Sequence, residues 1–503
     1  MADNPKEFLT TAFGAPIIND NISQTAGKGG PILMQDVVLL EKLAHFGRER
    51  IPERVVHAKG AGAFGTFKLT ADVSKWTCAD FLNGVGKETE VFMRFSTVAG
   101  ERGYADADRD PRGFATKFYT AEGNYDLVGN NTPIFFIRDP MKFPDFIHSQ
   151  KRRPDNNLHD QNYKWDFWSL TPESLHQVAI LMSDRGVPAN FRSMHGFGSH
   201  TYMWYNSKNE YFWVKYHIRT NQGIKNFTRQ EAMEMFKIDP DHAVRDLYDH
   251  LADRAYPSWT VQVQILTPEQ VAKLPYDPFD VTKVWYHADA PVMDIGQITL
   301  DKAPANYFQD VEQAAFNPSN FVPGIGPSPD KLLQGRLFSY HDTHLHRLGA
   351  NYHQIPVNQP RGVMAHTNER DSYLVDNSPS GPMPNYWPNS LGGPGPKPLN
   401  YPEVPLSGAA GRYDVEVGPQ DYEQPRALYS RVMNQEEKDR FLDNVADSMN
   451  GVEERIRARS IVMFWKMEPE SAKILAKATK TDIGKIEKLA SLPYDELVTQ
   501  TAK

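Results

Sequence analysis

The stretch Arg336-Leu337-Phe338-Ser339-Tyr340-His341-Asp342-Thr343-His344-Leu345-His346-Arg347-Leu348-Gly349 spaces chemically able side chains as a helix would. At about 100° per residue, Arg336, Tyr340 and Arg347 fall within about 40° of one another, so one face holds a phenol between two guanidiniums. Gly349 suits the C-terminal cap of that helix. A free phenol ionises near pH ~10, an adjacent cation favours the phenolate, and coordination to ferric iron would remove the proton outright. Arg336, one turn earlier, would then balance the anion, and Arg347 lies roughly 10 Å along the axis. A half-buried tyrosine on a surface helix accounts for this stretch, taken alone, equally well.

Other groups gather elsewhere. His57 sits in Ile51-Pro52-Glu53-Arg54-Val55-Val56-His57-Ala58-Lys59-Gly60-Ala61-Gly62, an imidazole followed by very small residues that let a flat ligand approach the backbone. An isolated histidine of this kind is more often structural than catalytic. Phe92 to Val98 reads as a strand whose period of two puts Arg94, Ser96 and Val98 on one face, where a hydroxyl can fix the tautomer of an imidazole. The alternative is a strand with a satisfied internal arginine. Gly129-Asn130-Asn131-Thr132-Pro133-Ile134-Phe135-Phe136-Ile137 reads as a turn running into a buried strand. Asp110 precedes Pro111 and serves as a turn former or as a functional carboxylate.

Two patterns lead nowhere. Gly60-Ala61-Gly62-Ala63-Phe64-Gly65 fits a dinucleotide-binding glycine motif, but Thr66 to Thr70 alternates like a strand where that motif needs a helix. His341, His344 and His346 do not match zinc-ligand spacing, and no cysteine is near.

The tyrosine stretch resembles the haem-ligand signature of the monofunctional haem catalases, Arg-x-Phe-x-Tyr-x-Asp-Thr, and tyrosine is the axial ligand of that family. The His57 string closely resembles its distal signature. The resemblance runs from about Leu33 through the C-terminal helices and implies the small-subunit class, which lacks a flavodoxin-like domain. It implies an α+β fold: an eight-stranded antiparallel β-barrel with an N-terminal arm, a wrapping loop and a C-terminal helical domain. It implies haem, most simply haem b with its iron, hydrogen peroxide as substrate, and a homotetramer. By the same resemblance Tyr340 is the iron ligand, His57 the general acid and base, Asn130 the peroxide-binding residue, and Ser96 the group orienting His57. Arg54, Arg94 and Arg347 would pair with the haem carboxylates, Arg336 would stand beside Tyr340, and Phe135 and Phe143 would pack against the haem. Val98 and Asp110 would line the access channel. His176, Ser183, Arg185, Arg219, Trp285 and His287 match positions that bind NADPH in some members. The chain departs at His195, where asparagine is familiar, and at Arg219, where lysine is. A tyrosinate-ligated haem protein of other activity, a haem carrier and an NADP-dependent oxidoreductase are the rival readings.

The elements that must position these groups follow from the rest of the chain. Its 503 residues are 40% hydrophobic and 12% aromatic, enough for a sizeable core. A net charge of -8 without a basic block argues against nucleic acid as a partner. Cys78 is the single cysteine, which fits a reducing, cytoplasmic setting. Met1 to Thr10 lacks an apolar signal core, and no run approaches the ~18 apolar residues of a membrane span. Residues 1–53 read as an arm with a helix from Val37. Residues 54–300 read as an antiparallel sheet or barrel with short runs at Phe64 to Leu69, Glu90 to Val98, Thr132 to Ile137, Tyr202 to Ile218 and Trp259 to Leu266, and with a helical insertion from Phe143 to Ser183. Residues 301–420 read as a wrapping segment carrying the tyrosine helix, in which Ser378 to Gly411 holds nine prolines. Residues 421–503 read as helices, with Phe441, Val445, Met449 and Val452 on one stripe.

Overall fold

The computed structural model describes residues 7–376 and 381–502, so the start of the expected proline-rich wrapper, 378–380, lies outside the described residues. The chain divides into two compact units, Met1–Glu53 and Arg54–Lys503. In the first, a helix spans Val37–Phe46, and its N-cap Asp36 accepts from Leu39 N while also receiving Gln24 N. Phe13, Ile18 and Met34 of this unit are fully or almost fully exposed.

In the second unit, ten strands among the described residues form one sheet. They are β1 (Gly60–Leu69), β2 (Glu88–Ser96), β3 (Gly113–Thr120), β4 (Gly123–Asn130), β5 (Gly196–Phe197), β6 (Tyr202–Tyr205), β7 (Tyr211–Thr220), β8 (Ser258–Leu266), β9 (Val292–Lys302) and β10 (Ile325–Gly326). Every pairing is antiparallel. The partners run β1-β2-β3-β4-β5-β7-β8-β9 and return to β1, which closes an eight-stranded barrel; β6 and β10 extend from β7. Closure removes the free edges that an open sheet would expose.

Alternation sorts the side chains. Val91, Met93 and Phe95 of β2 point into an aromatic interior with Phe67, Phe118, Tyr125 and Trp259. Phe92, Arg94 and Ser96 take the outer face, as the period of two requires. That outer face is also buried. Phe64, Phe92, Tyr119 and Val128 pack there against Val311, Phe316 and Val357 of the covering segment, and Tyr340 joins them. A second core unites the helices Phe143–Gln150, Gln161–Ser169 and Leu175–Met182 with the C-terminal helices. The expected stripe Phe441, Val445, Met449 and Val452 is buried in it. The tyrosine helix spans Lys331–Leu348, is capped by Asp330 and ends at Gly349, whose φ of 91° favours glycine.

Two strand expectations need correction. Thr132 to Ile137 is not a strand: β4 ends at Asn130, and the following residues are held by irregular bonds. Asn131 Oδ1 accepts from Arg112 N at 2.7 Å, Thr132 O accepts from Ser199 Oγ at 3.0 Å, and Pro133 has no N–H to give to a ladder. Its apolar residues, among them Phe136 and Ile137, serve the helical core instead. Tyr202 to Ile218 is two strands, β6 and β7, broken where Asn206 Oδ1 accepts from Lys208 N and Glu210 N to make a turn.

Cross-strand partners Lys117 and Asp126 form a buried ion pair at 2.8 Å on the covered face, and Asp126 also accepts from Asn317 N and Asn320 Nδ2, both at 2.9 Å. The pair therefore ties barrel to cover. Lys117→Met would strand a buried carboxylate and should cost roughly 3–5 kcal/mol. The check is the midpoint of denaturant unfolding, and an unchanged midpoint would contradict the assignment.

Candidate active site

The antiparallel register sets the site. Gly60 pairs with Ser96, Ser96 with Gly113, and Gly113 with Asn130, so one transverse row crosses β1 to β4 on the covered face. The next row holds Gly62, Arg94, Ala115 and Val128. His57 precedes β1, with its N–H donating to Val98 O at 3.0 Å and its Nδ1 at 2.9 Å from Ser96 Oγ. Its φ of 63° is a left-handed conformation that a non-glycine residue holds only at some cost, a form of strain common at functional sites. A Cβ on Gly113 would stand 2.2 Å from Ser96 Oγ and 2.6 Å from His57 Nδ1, so only glycine leaves room for this contact. Burial, and then the charges of Arg94, Arg336 and Arg54, push the His57 imidazole down to about 3, against a bond to the Thr97 backbone. It is therefore neutral and able to accept a proton.

Around it stand buried cations. Arg54 Nη2 donates to the carbonyls of Val311, Glu312 and Ala314 at 2.9, 3.0 and 2.9 Å. Arg94 Nη2 donates to Ala58 O at 3.2 Å, and Arg347 Nη2 to Glu312 O at 3.3 Å. Burial and mutual repulsion with Arg94 and Arg347 hold Arg54 well below the usual guanidinium range. Arg54 Nη1 and Arg94 Nε are buried and make no hydrogen bond. Such donors are matched by the carboxylates of a bound group, which fits the residues present.

On the tyrosine helix, Arg336 Nη2 donates to Tyr340 Oη at 2.8 Å and to Val128 O at 2.9 Å. Burial opposes the Arg336 charge, but Tyr340 and Tyr202 outweigh it and raise its proton affinity. Sequence reasoning missed the anchor beneath: His200 Nδ1 lies 2.7 Å from Asp330 Oδ2, and Asp330 Oδ1 caps the helix through Leu333 N at 3.1 Å. The cap position of Asp330 is visible in the sequence, but nothing there points to a histidine 130 residues away.

Phe135 and Phe143 stack with centroids 6.2 Å apart and pack on the helical core. Val98 and Asp110 both line a cavity of about 480 Å³, together with Phe136, Phe146 and Trp168. Asp110 accepts from Val98 N and Ala99 N at 2.5 and 2.7 Å, and burial with Asp108 pushes its carboxyl up to about 6. A separate cluster gathers Arg185, Arg219, His195, His217 and His287. Burial and then Arg219 and Arg185 lower His195 to about 3, and His217 and His287 are 6.2 Å apart. His176, Ser183 and Trp285 are buried with internal partners: His176 Nδ1 lies 3.1 Å from Thr282 O, Ser183 Oγ donates to Ile180 O, and Trp285 Nε1 donates to Pro278 O.

The catalase family model matches residues 10–393, and a catalase-related immune-responsive model matches residues 417–479. The chain is 54% identical over 502 residues to a catalase of Methanosarcina barkeri, covering 99% of each chain. It is 52% identical to catalase-A of Dictyostelium discoideum, covering 96% of this chain and 98% of that one. Its fold superposes on catalase A from Saccharomyces cerevisiae with a TM-score of 0.91 at 43% identity, covering 94% and 99% of the two chains. A fungal catalase gives a TM-score of 0.92 at 43% identity, covering 95% and 97%. The chain belongs to the catalase family, haem enzymes that decompose hydrogen peroxide to water and dioxygen.

Proposed function

We propose that this catalase works through His57, Ser96, Asn130 and Tyr340. The observation that carries the reading is the row joining Ser96, Gly113 and Asn130, with His57 bonded to Ser96. With Nδ1 engaged by Ser96, proton exchange falls to Nε2 of His57. That nitrogen accepts a proton from one peroxide oxygen and returns it to the departing one, while the Asn130 amide holds the other oxygen. Tyr340 would hold the haem iron through its phenol oxygen, and Arg336 would stabilise that oxygen. Arg54, Arg94 and Arg347 would hold the carboxylates of the haem, proposed as the b form, and Phe135 and Phe143 would flank it. Bound haem supplies the redox chemistry that the side chains lack. Val98 and Asp110 guide peroxide through the cavity they line.

We further propose NADPH at Arg185 and Arg219, with His176, Ser183, Trp285 and His287; the clustered cations suit its phosphates. The exposed Phe13, Ile18 and Met34 support association into a homotetramer of the small-subunit class. No helix among the described residues is long and apolar enough to cross a membrane, and the net charge of -8 and single cysteine favour a cytoplasmic place without nucleic-acid partners. Organisation into an arm (1–53), barrel (54–300), wrapping segment (301–420) and C-terminal helices (421–503) completes the proposal.

His57→Ala should retain haem and lose dioxygen release by about 10²-fold or more, the scale of general acid–base catalysis; near-normal turnover measured with an oxygen electrode would refute the role. Because His57 is held at about 3, it is neutral throughout the range in which an ordinary histidine titrates. Wild-type kcat/KM should therefore show no histidine titration between about pH 8 and about pH 5, and any fall centred near pH 6 should vanish in Asp110→Asn, whose wild-type carboxyl is pushed up to about 6. Tyr340→Phe should lose haem or activity, and a fully active haem protein by visible spectroscopy would remove the ligand assignment. Equilibrium dialysis should retain NADPH at micromolar concentration in the wild type and not in an Arg185→Ala/Arg219→Ala variant; no retention by the wild type rejects that site.

A further inference from the structure

We infer that Glu312 is a positioning residue of the haem site: a buried anion that balances the guanidinium left over once the two haem carboxylates are paired with Arg54, Arg94 and Arg347. This rests on haem binding at this site. Glu312 closes the π-helical turn Phe308–Glu312, and its side chain is 2% exposed. Its Oε1 stands 3.7 Å from Arg347 Nη2 and its Oε2 3.7 Å from Arg102 Nε, and Oε2 makes no hydrogen bond. The backbone of the same residue also receives Arg54 Nη2 and Arg347 Nη2. One residue thus receives two of the three arginines, Arg54 and Arg347, at its carbonyl and faces Arg347 with its carboxylate.

The charge count gives this a purpose. The three buried guanidiniums exceed the two carboxylates of the cofactor by one, whereas Arg102 is 39% exposed and screened by water, and an unbalanced charge in a buried site carries a large desolvation penalty. The Glu312 charge supports the protonated form of all three arginines against the burial that lowers each of them. Asp and Glu are rarely buried unless paired, and here the pairing is with the cofactor's own clamps. An anion at this place also favours the higher charge of ferric over ferrous iron.

The test compares holoenzymes at matched haem content, set by the pyridine haemochrome spectrum. Ferric/ferrous midpoint potentials would be measured by spectroelectrochemistry for the wild type, Glu312→Gln, Glu312→Asp and the double variant Glu312→Gln/Arg347→Gln. The expected result is a midpoint shifted to more positive potential in Glu312→Gln, a value near wild type in Glu312→Asp, and a return toward wild type in the double variant. An unchanged midpoint in Glu312→Gln, with its ferric spectrum intact, overturns the inference. If Glu312→Gln fails to fold or to keep haem, retention of haem by Glu312→Asp, which keeps the charge, upholds charge balance, and loss in Glu312→Asp as well refutes it. Absence of haem from the wild type would sink the haem reading itself, a separate outcome.

Discussion

A guanidinium taken out of water costs several kcal/mol unless an anion or well-placed oxygens meet it. This protein places Arg54, Arg94, Arg336 and Arg347 behind the outer wall of one barrel, and much of the surrounding structure is arranged to make that tolerable. Carbonyls of the covering segment take Arg54, the Ala58 carbonyl takes Arg94, and Tyr340 takes Arg336. Arg54 Nη1 and Arg94 Nε are left with donor capacity that an acidic ligand would fill. Burial first, and then the same cations, keep His57 neutral.

The barrel contributes rigidity and direction. Inward positions of β1 to β4 fill an aromatic interior, which leaves the alternate positions to build a site on the outside. The position of Asn130 relative to Ser96 is a matter of register, and slipping either strand by one residue would turn these side chains into the core. Gly113 sits between them because any Cβ there would strike Ser96 Oγ and His57 Nδ1. The tyrosine helix is fixed differently: a buried His200–Asp330 pair joins the segment before β6 to its start, and Arg336 bonds Tyr340 one turn on.

Much of this was legible beforehand, and the failures have causes. Arg94 and Ser96 share a face because a strand alternates, and Arg336 and Tyr340 meet because a helix turns every 3.6 residues. Thr132 to Ile137 misled because apolar residues buried by helices look like a buried strand over so short a run. The turn within Tyr202 to Ile218 was hidden by aromatic residues on both sides of Asn206.

Local covalent geometry explains what the sequence determined by itself. The periods of helix and strand, the caps at Asp330 and Gly349, and two long motifs were enough to mark the tyrosine helix and the catalase family. Only the tertiary structure decided that Ser96, Gly113 and Asn130 form one row, that His200 reaches Asp330, and that the Glu312 carboxylate stands between Arg347 and Arg102. Those relations depend on strand register and on the packing of segments far apart in the chain, where the hydrophobic burial and charge pairing are non-local and leave no periodic trace in the sequence.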